Sequence, residues 1–408
     1  ASGEAPVDEA ARDRAIRQAL DRRAEAVLAH DENAFLGDVD REDAEFVAAQ
    51  RQLFDNLAQL EFASWEYELI GADYNRPELA STYRVPYHLP AVLLHYAIDG
   101  YDVAPVARPQ VLTFVQRGDR WLIASDSDAD SLLPETGHAD PWDRRPVVVD
   151  EGDDVLVIAD ADNRSELPRL VRVSDQAVRR VGQMWPDGWR HKVVVVAVDD
   201  QLLIETYFRT ATQSSEGVAA IAVPAYDVVP GWSPDDASAG GPDGEPSGPR
   251  SRVILNPRYF DPDDEGNADL LTHEVTHVAT QQQTKAGAPT WLSEGIAEYT
   301  GYRHLRPFAV TLPGSLERQV RSGSVRLPTY DFYSGDVSAN YLAGFLACAY
   351  IAQEYGEDTL RRLYDAVAPT PRETLTYDRQ ERALRRFLGT TPEQLGRDVA
   401  AYARTVAD

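Results

Sequence analysis

The chain has 408 residues, a formal net charge of −27 and 43% hydrophobic residues, with an isoelectric point near 4.6. That length exceeds what one ordinary core fills, so two or three domains are expected. The acidity makes nucleic acid and anionic membrane surfaces poor partners. No stretch approaches the roughly eighteen consecutive apolar residues of a membrane-spanning helix, and none reads as the apolar core of a secretion signal. The chain opens Ala1-Ser2-Gly3-Glu4 without an initiator methionine, as a mature form does after signal removal, or a trimmed chain. A secreted or cell-envelope-associated protein is the expectation. Arginine supplies nearly all the basic residues, lysine occurring only at Lys192 and Lys285, which fits a GC-rich coding bias of the actinobacterial kind. The single cysteine, Cys348, excludes an intramolecular disulfide; in its apolar surroundings it reads as core, not nucleophile. No feature of the sequence fixes an oligomeric state.

In chain order, Ile16, Leu20, Ala24, Val27 and Leu28 recur at helical spacing and predict a helix over 9–30. Phe46, Val47, Phe54 and Leu57 do the same for 42–60. The period then becomes that of strands at 63–70, 91–98, 109–116 and 121–125. The last two are joined by a hairpin turn at Arg117-Gly118-Asp119-Arg120. Trp65, Tyr67, Tyr83, His95 and Tyr96 read as an aromatic core, with a ligand pocket as the alternative. His88 and His95 have no partner at metal-ligand spacing. Helices followed by an antiparallel sheet ending in R-G-D-R-W-L-I-A-S-D resemble the cone-shaped α+β fold of nuclear-transport-factor-2-like domains, over residues 1–127. The resemblance implies a domain of a kind that often holds a pocket or dimerises.

Residues 128–152, rich in Asp, Pro and Arg, read as a linker. A mixed sheet subdomain is expected over 153–265, with strands at 155–159, 192–198, 217–223 and 252–256. Leu170, Val173, Val178 and Val181 mark an amphipathic helix over 167–185, and a short helix is expected over 201–208. Pro230 to Arg250, rich in Pro, Gly, Ser and Asp, reads as a surface loop. A helical subdomain follows over 266–408. It includes the apolar helix of Tyr341 and closing helices at 357–367, 379–388 and 392–406. There is no internal repeat, phosphate-cradling glycine loop or nucleophile elbow.

The chemistry is concentrated in His273-Glu274-Val275-Thr276-His277, followed by Trp291-Leu292-Ser293-Glu294-Gly295. On a helix, positions i and i+4 share a face, so two imidazoles at 273 and 277 can grip one metal ion from one side. Glu274 can then reach the water that the ion activates. Three protein ligands plus water is the pattern of a catalytic zinc site, and Glu294 is the candidate third ligand. Leu270, Leu271, Thr272, Val275 and Val278 surround the histidines with apolar or small residues, so the helix is expected to be largely buried, where such polar groups need partners.

H-E-x-x-H followed by W-L-x-E-G-x-A resembles the gluzincin metallopeptidases, in particular the peptidase MA-like domains related to aminopeptidases of the leukotriene-A4-hydrolase type. The motif-bearing residues are 273–299. The resemblance implies zinc on His273, His277 and Glu294, Glu274 as general base, and a carboxylate at Glu298 that orients the first histidine. It also implies an oxyanion-stabilising tyrosine. Tyr341 with Gly344 matches the spacing of the family's Y-x-K-G pattern, although Ala343 replaces its lysine. Tyr330, Tyr333 and Tyr350 are competitors. The G-x-M-E-N strand that anchors a substrate amine is absent from Gly217 to Val229. The expectation is therefore an α+β zinc metallopeptidase acting on peptide or protein substrates, an endopeptidase in preference to an aminopeptidase. A ligand-binding or regulatory protein with a catalytically silent zinc domain, or a zinc hydrolase of a non-peptide bond, are the alternatives.

Overall fold

In a computed structural model, the structure describes residues 8–74, 76–130, 140–199, 219–224, 251–260, 262–280, 288–367 and 377–407. It mixes helices and sheets, with a mostly helical C-terminal part. The expected helix at 201–208, the loop at 230–250 and the ends of the expected strand around 217–229 lie outside the described residues. No helix among the described residues is long and apolar enough to cross a membrane.

Residues 8–125 include helices α1 (Glu9–Leu28) and α2 (Ala44–Leu57) and strands β1 (Phe62–Asp73), β2 (Tyr87–His88), β3 (Pro90–Ile98), β4 (Val106–Val111), β5 (Thr113–Arg117) and β6 (Arg120–Ser125). The α1 stripe buries Ile16, Leu20, Ala24 and Val27, whereas Leu28 is exposed. The single strand expected over 109–116 is two strands: β4 pairs with β3, and β5 pairs with β2 and β6 in a second sheet. Buried Leu112 stands at the break, and the register shifts between Thr113 and Phe114. Apolar alternation runs unbroken through such a change of sheet, so periodicity alone does not reveal it. Trp65 and Tyr96 stack at 5.6 Å and both meet Phe62 edge-on, while Trp142 meets Tyr96 and Phe62 edge-on, in an aromatic core.

A five-stranded sheet follows, of β7 (Val147–Glu151), β8 (Val155–Asp160), β9 (Val193–Ala197), β10 (Ala220–Pro224) and β11 (Ser251–Leu255), in the order β10-β11-β9-β8-β7. Helix α3 (Leu167–Met184) connects the parallel strands β8 and β9; among the described residues β10 is an antiparallel strand at the edge. The runs VLVIA and VVVVA are apolar at successive positions because both faces of this sheet are covered. Val155, Val157, Val193, Val195, Val253 and Leu255 pack with α3 and the C-terminal helices. Leu156, Ile158, Val194, Val196 and Ile254 pack instead with Val27, Phe35, Phe54, Leu57, Trp65 and Trp142 of the N-terminal part.

Residues 140–151, expected within a linker, belong to this packing. Trp142 is buried, and β7 pairs with β8. Buried Asn56 holds the segment by donating to the carbonyls of Trp142 and Arg145, each at 2.8 Å, and accepting from Val147 N–H at 3.0 Å. An Asp- and Pro-rich composition resembles a solvated connection, but these long-range partners make it structural.

A second tie is Arg252 on β11, whose guanidinium grips Asp102 with two hydrogen bonds of 2.6 and 2.7 Å. Both side chains are buried. Removing one partner of a buried pair strands the other charge and costs about 3–5 kcal/mol, whereas exchanging both for apolar groups is far milder. Asp102→Ala should therefore lower the unfolding free energy, measured in denaturant, by that amount. Asp102→Leu/Arg252→Met should recover much of the loss. A single variant as stable as the parent would show that the pair does not hold these parts together.

Candidate metal centre

Helix α4 (Asp264–Thr280) places Asp264 and Glu265 in its first turn, where negative charge suits the helix dipole. Its buried threonines satisfy themselves: Thr272, Thr276 and Thr280 donate to the carbonyls four residues back. Leu271, Val275 and Val278 enter the core, while His273 and His277 turn toward helix α5 (Thr290–Tyr302). Helix α5 lies between α4 and helix α7 (Val337–Tyr355), with α6 (Gly314–Ser322) before α7 in the chain. Two glycines of α5 face backbone. A Cβ on Gly301 would lie 3.1 Å from the Asp269 carbonyl oxygen of α4, and one on Gly295 would overlap the Gly344 carbonyl of α7. Gly344 is equally confined, since its Cβ would lie 2.6 Å from the Trp291 carbonyl oxygen. These contacts bring α5 close to both neighbours and set the depth of Glu294.

The three sequence-predicted ligands converge. His273 Nε2 lies 3.2 Å from His277 Nε2 and 3.3 Å from Glu294 Oε2. His277 Nε2 lies 3.5 Å from the same carboxylate oxygen. Ligand bonds of about 2.1 Å at a tetrahedral centre give donor separations of about 3.4 Å, so this triangle has the size of one face of such a site. Glu298 Oε1 lies 3.1 Å from His273 Nδ1. Accepting the Nδ1 proton leaves the Nε2 lone pair directed at the other two donors. A proton can serve one pair of these three acceptors; a metal ion serves all three. The cluster could hold a metal ion.

The local electrostatics favour positive charge at this point. Burial alone would lower the pKa of His273, but Glu294 and Glu298 hold it well above the ordinary imidazole range. Burial alone would raise Glu294, but His277 and His273 hold its carboxyl well below the usual range. Glu274 is pushed up by burial, against the pull of the two histidines. Its Oε2 accepts a 2.8 Å hydrogen bond from Ala222 N–H on the edge strand β10, which fixes the carboxylate beside the cluster. No sequence signal marks that backbone donor.

Tyr341 also reaches the cluster. Its ring centroid is 6.1 Å from that of His273 and 4.9 Å from that of Phe332. Burial, and then Glu294, raise its hydroxyl pKa, so it stays a protonated donor. Glu298 and Tyr341 also wall a largely apolar cavity of about 580 Å³, with Tyr302, Phe308, Leu342 and Phe345. Tyr330 is exposed. Tyr333, expected only as a competitor of Tyr341, donates to Glu294 Oε1 at 2.7 Å.

A second group, Glu265, Asp269 and His304, also gathers donor atoms. There Arg180 already supplies the cation, with Nη1 2.7 Å from Asp269 and Nη2 on Glu265, so the group ties α3 to α4. No family model matches the chain, and no curated protein matches it.

Packing at the helix crossing can be tested at two glycines. Gly295→Ala forces backbone apart and should cost about 1–3 kcal/mol, the usual range for overpacking. A Cβ on Gly182 meets only the His191 ring, at 3.1 Å, so Gly182→Ala should stay closer to neutral. Chemical denaturation of both variants makes the comparison, and equal stabilities would contradict the close α5–α7 packing.

Proposed function

We propose that this chain is a zinc-dependent metallopeptidase, with His273, His277 and Glu294 as ligands and Glu274 as general base. The observation that carries the reading is the donor triangle of 3.2, 3.3 and 3.5 Å with a buried carboxylate next to it on the same helix. A zinc ion held there would supply Lewis acidity and lower the pKa of a bound water toward about 7. Glu274, with its affinity for a proton raised by burial, is suited to take a proton from the attacking water and pass it to the leaving amine. The Ala222 N–H keeps that carboxylate oriented throughout. Tyr341 is suited to donate to the oxyanion of the tetrahedral intermediate. Strand β10, at the sheet edge and in contact with Glu274, offers main-chain groups to an extended peptide. The lack of an acidic amine anchor in Ala220–Pro224 supports cleavage inside a chain.

Metal analysis after dialysis against zinc should find one ion per chain. His277→Ala should lose it while circular dichroism still reports a folded protein. Full occupancy in a folded His273→Ala/His277→Ala variant would place the zinc elsewhere.

Turnover of a diverse peptide library tests the roles. Glu274→Gln keeps size and polarity but loses the base, so it should retain zinc and lose at least about a hundredfold in kcat. Tyr341→Phe should lower kcat on the order of a hundredfold with little change in KM, because its hydroxyl acts chiefly in the transition state. Undiminished turnover in Glu274→Gln would overturn the mechanism. Undiminished turnover in Tyr341→Phe would remove only the tyrosine from it.

A further inference from the structure

Glu294 presents two oxygens, and Oε2 is the one that approaches both histidines, at 3.3 and 3.5 Å. The other, Oε1, accepts the 2.7 Å hydrogen bond from Tyr333. Tyr333 comes from the segment between α6 and α7, and its ring lies largely at the surface, 59% exposed. Its hydroxyl nevertheless points inward to a carboxylate that is itself buried.

The segment that delivers Tyr333 is fastened to the helices it spans. Trp291 N–H donates to the Pro328 carbonyl at 3.2 Å, and the Thr290 hydroxyl to the Thr329 carbonyl at 2.7 Å. Both donors belong to the first turn of α5, the helix that carries Glu294. At its other end, the Asn340 side chain donates to the Phe332 carbonyl at 2.6 Å, and Asp336 caps α7 by accepting from Ala339 N–H. The Tyr333 ring also packs edge-on against Phe332, with centroids 5.2 Å apart. Tyr333 has one hydroxyl proton, and Glu294 receives it.

We propose that Tyr333 is a positioning residue for the metal-ligand carboxylate. Occupying Oε1 leaves Oε2 as the oxygen offered to a metal, and fixes the carboxylate's rotation about its last bond. Partners of this kind typically contribute a factor of about 10 to 100 in metal affinity. The proposal rests on the zinc reading of the His273–His277–Glu294 cluster, and goes beyond it by assigning a donor outside the zinc motif.

The test is zinc affinity of the full chain, measured by competition with a chromophoric chelator, for the parent, Tyr333→Phe and Tyr333→Ala. Phenylalanine retains the ring against Phe332 and removes only the hydroxyl. Tyr333→Phe should bind zinc about 10 to 100 times more weakly than the parent, with unchanged thermal unfolding of the metal-free protein. Tyr333→Ala should lose affinity to a similar degree. Parent-like affinity in Tyr333→Phe beside a loss in Tyr333→Ala would give the role to the ring and overturn the proposal. Parent-like affinity in both would overturn it too, while leaving the zinc site intact. A parent chain that binds no zinc would sink the zinc reading and this inference together.

Discussion

The close approach of α5 to α4 on one side and α7 on the other is the constraint on which the candidate site depends. Glycine backbone does the spacing: Gly301 faces the Asp269 carbonyl of α4, and Gly295 faces the Gly344 carbonyl of α7. An α5 held farther out by a single methyl group would carry Glu294 away from the two imidazoles. The separations of 3.3 and 3.5 Å between its carboxylate and their Nε2 atoms exist only because no side chain intervenes at the crossings. The same crossing brings Tyr341 to the ring of His273. Helix packing distance, not the reach of flexible side chains, sets the geometry.

Around that centre three of the polar groups have a directed partner. Glu298 takes the Nδ1 side of His273, Tyr333 takes the free oxygen of Glu294, and Ala222 N–H takes one oxygen of Glu274. Such partners limit rotation of the groups that would bind a metal and move a proton, and they offset the cost of burying them. They arrive from three places: the next turn of α5, the segment before α7, and the sheet edge. The site is therefore an assembly of the whole C-terminal part, whose elements share one core.

The sheet separates this cluster from the N-terminal part. Its helix-facing side packs with α4 and α5, and its other side packs with residues of α1, α2 and β1. The N-terminal part thus covers the back of the scaffold that holds the cluster, locked there by the Arg252–Asp102 pair and by Asn56. Its small interior space, about 40 Å³ beside Arg23, Gln50, Trp65 and Tyr67, has the size of a few water molecules. Support of the sheet accounts for this packing.

The sequence by itself determined what depends on local spacing. His273 and His277 share a helix face because they are four residues apart, and Glu274 sits beside them because it is the next residue. The hairpin at Gly118-Asp119 and most helices and strands were legible too, because their periods are local. Glu298, one turn after Glu294, is expected from the resemblance of the motif, not from spacing alone. Only tertiary structure decided what depends on distant partners. It brought Glu294 to the histidines and drew Tyr333, 39 residues farther along, onto its second oxygen. It aimed the Ala222 N–H at Glu274 across 52 residues. It broke the apolar run at Leu112 between two sheets, and it made the Asp- and Pro-rich segment before β8 a half-buried strand and a clamped turn. Those outcomes follow from packing between elements far apart in the chain, which composition and periodicity do not encode.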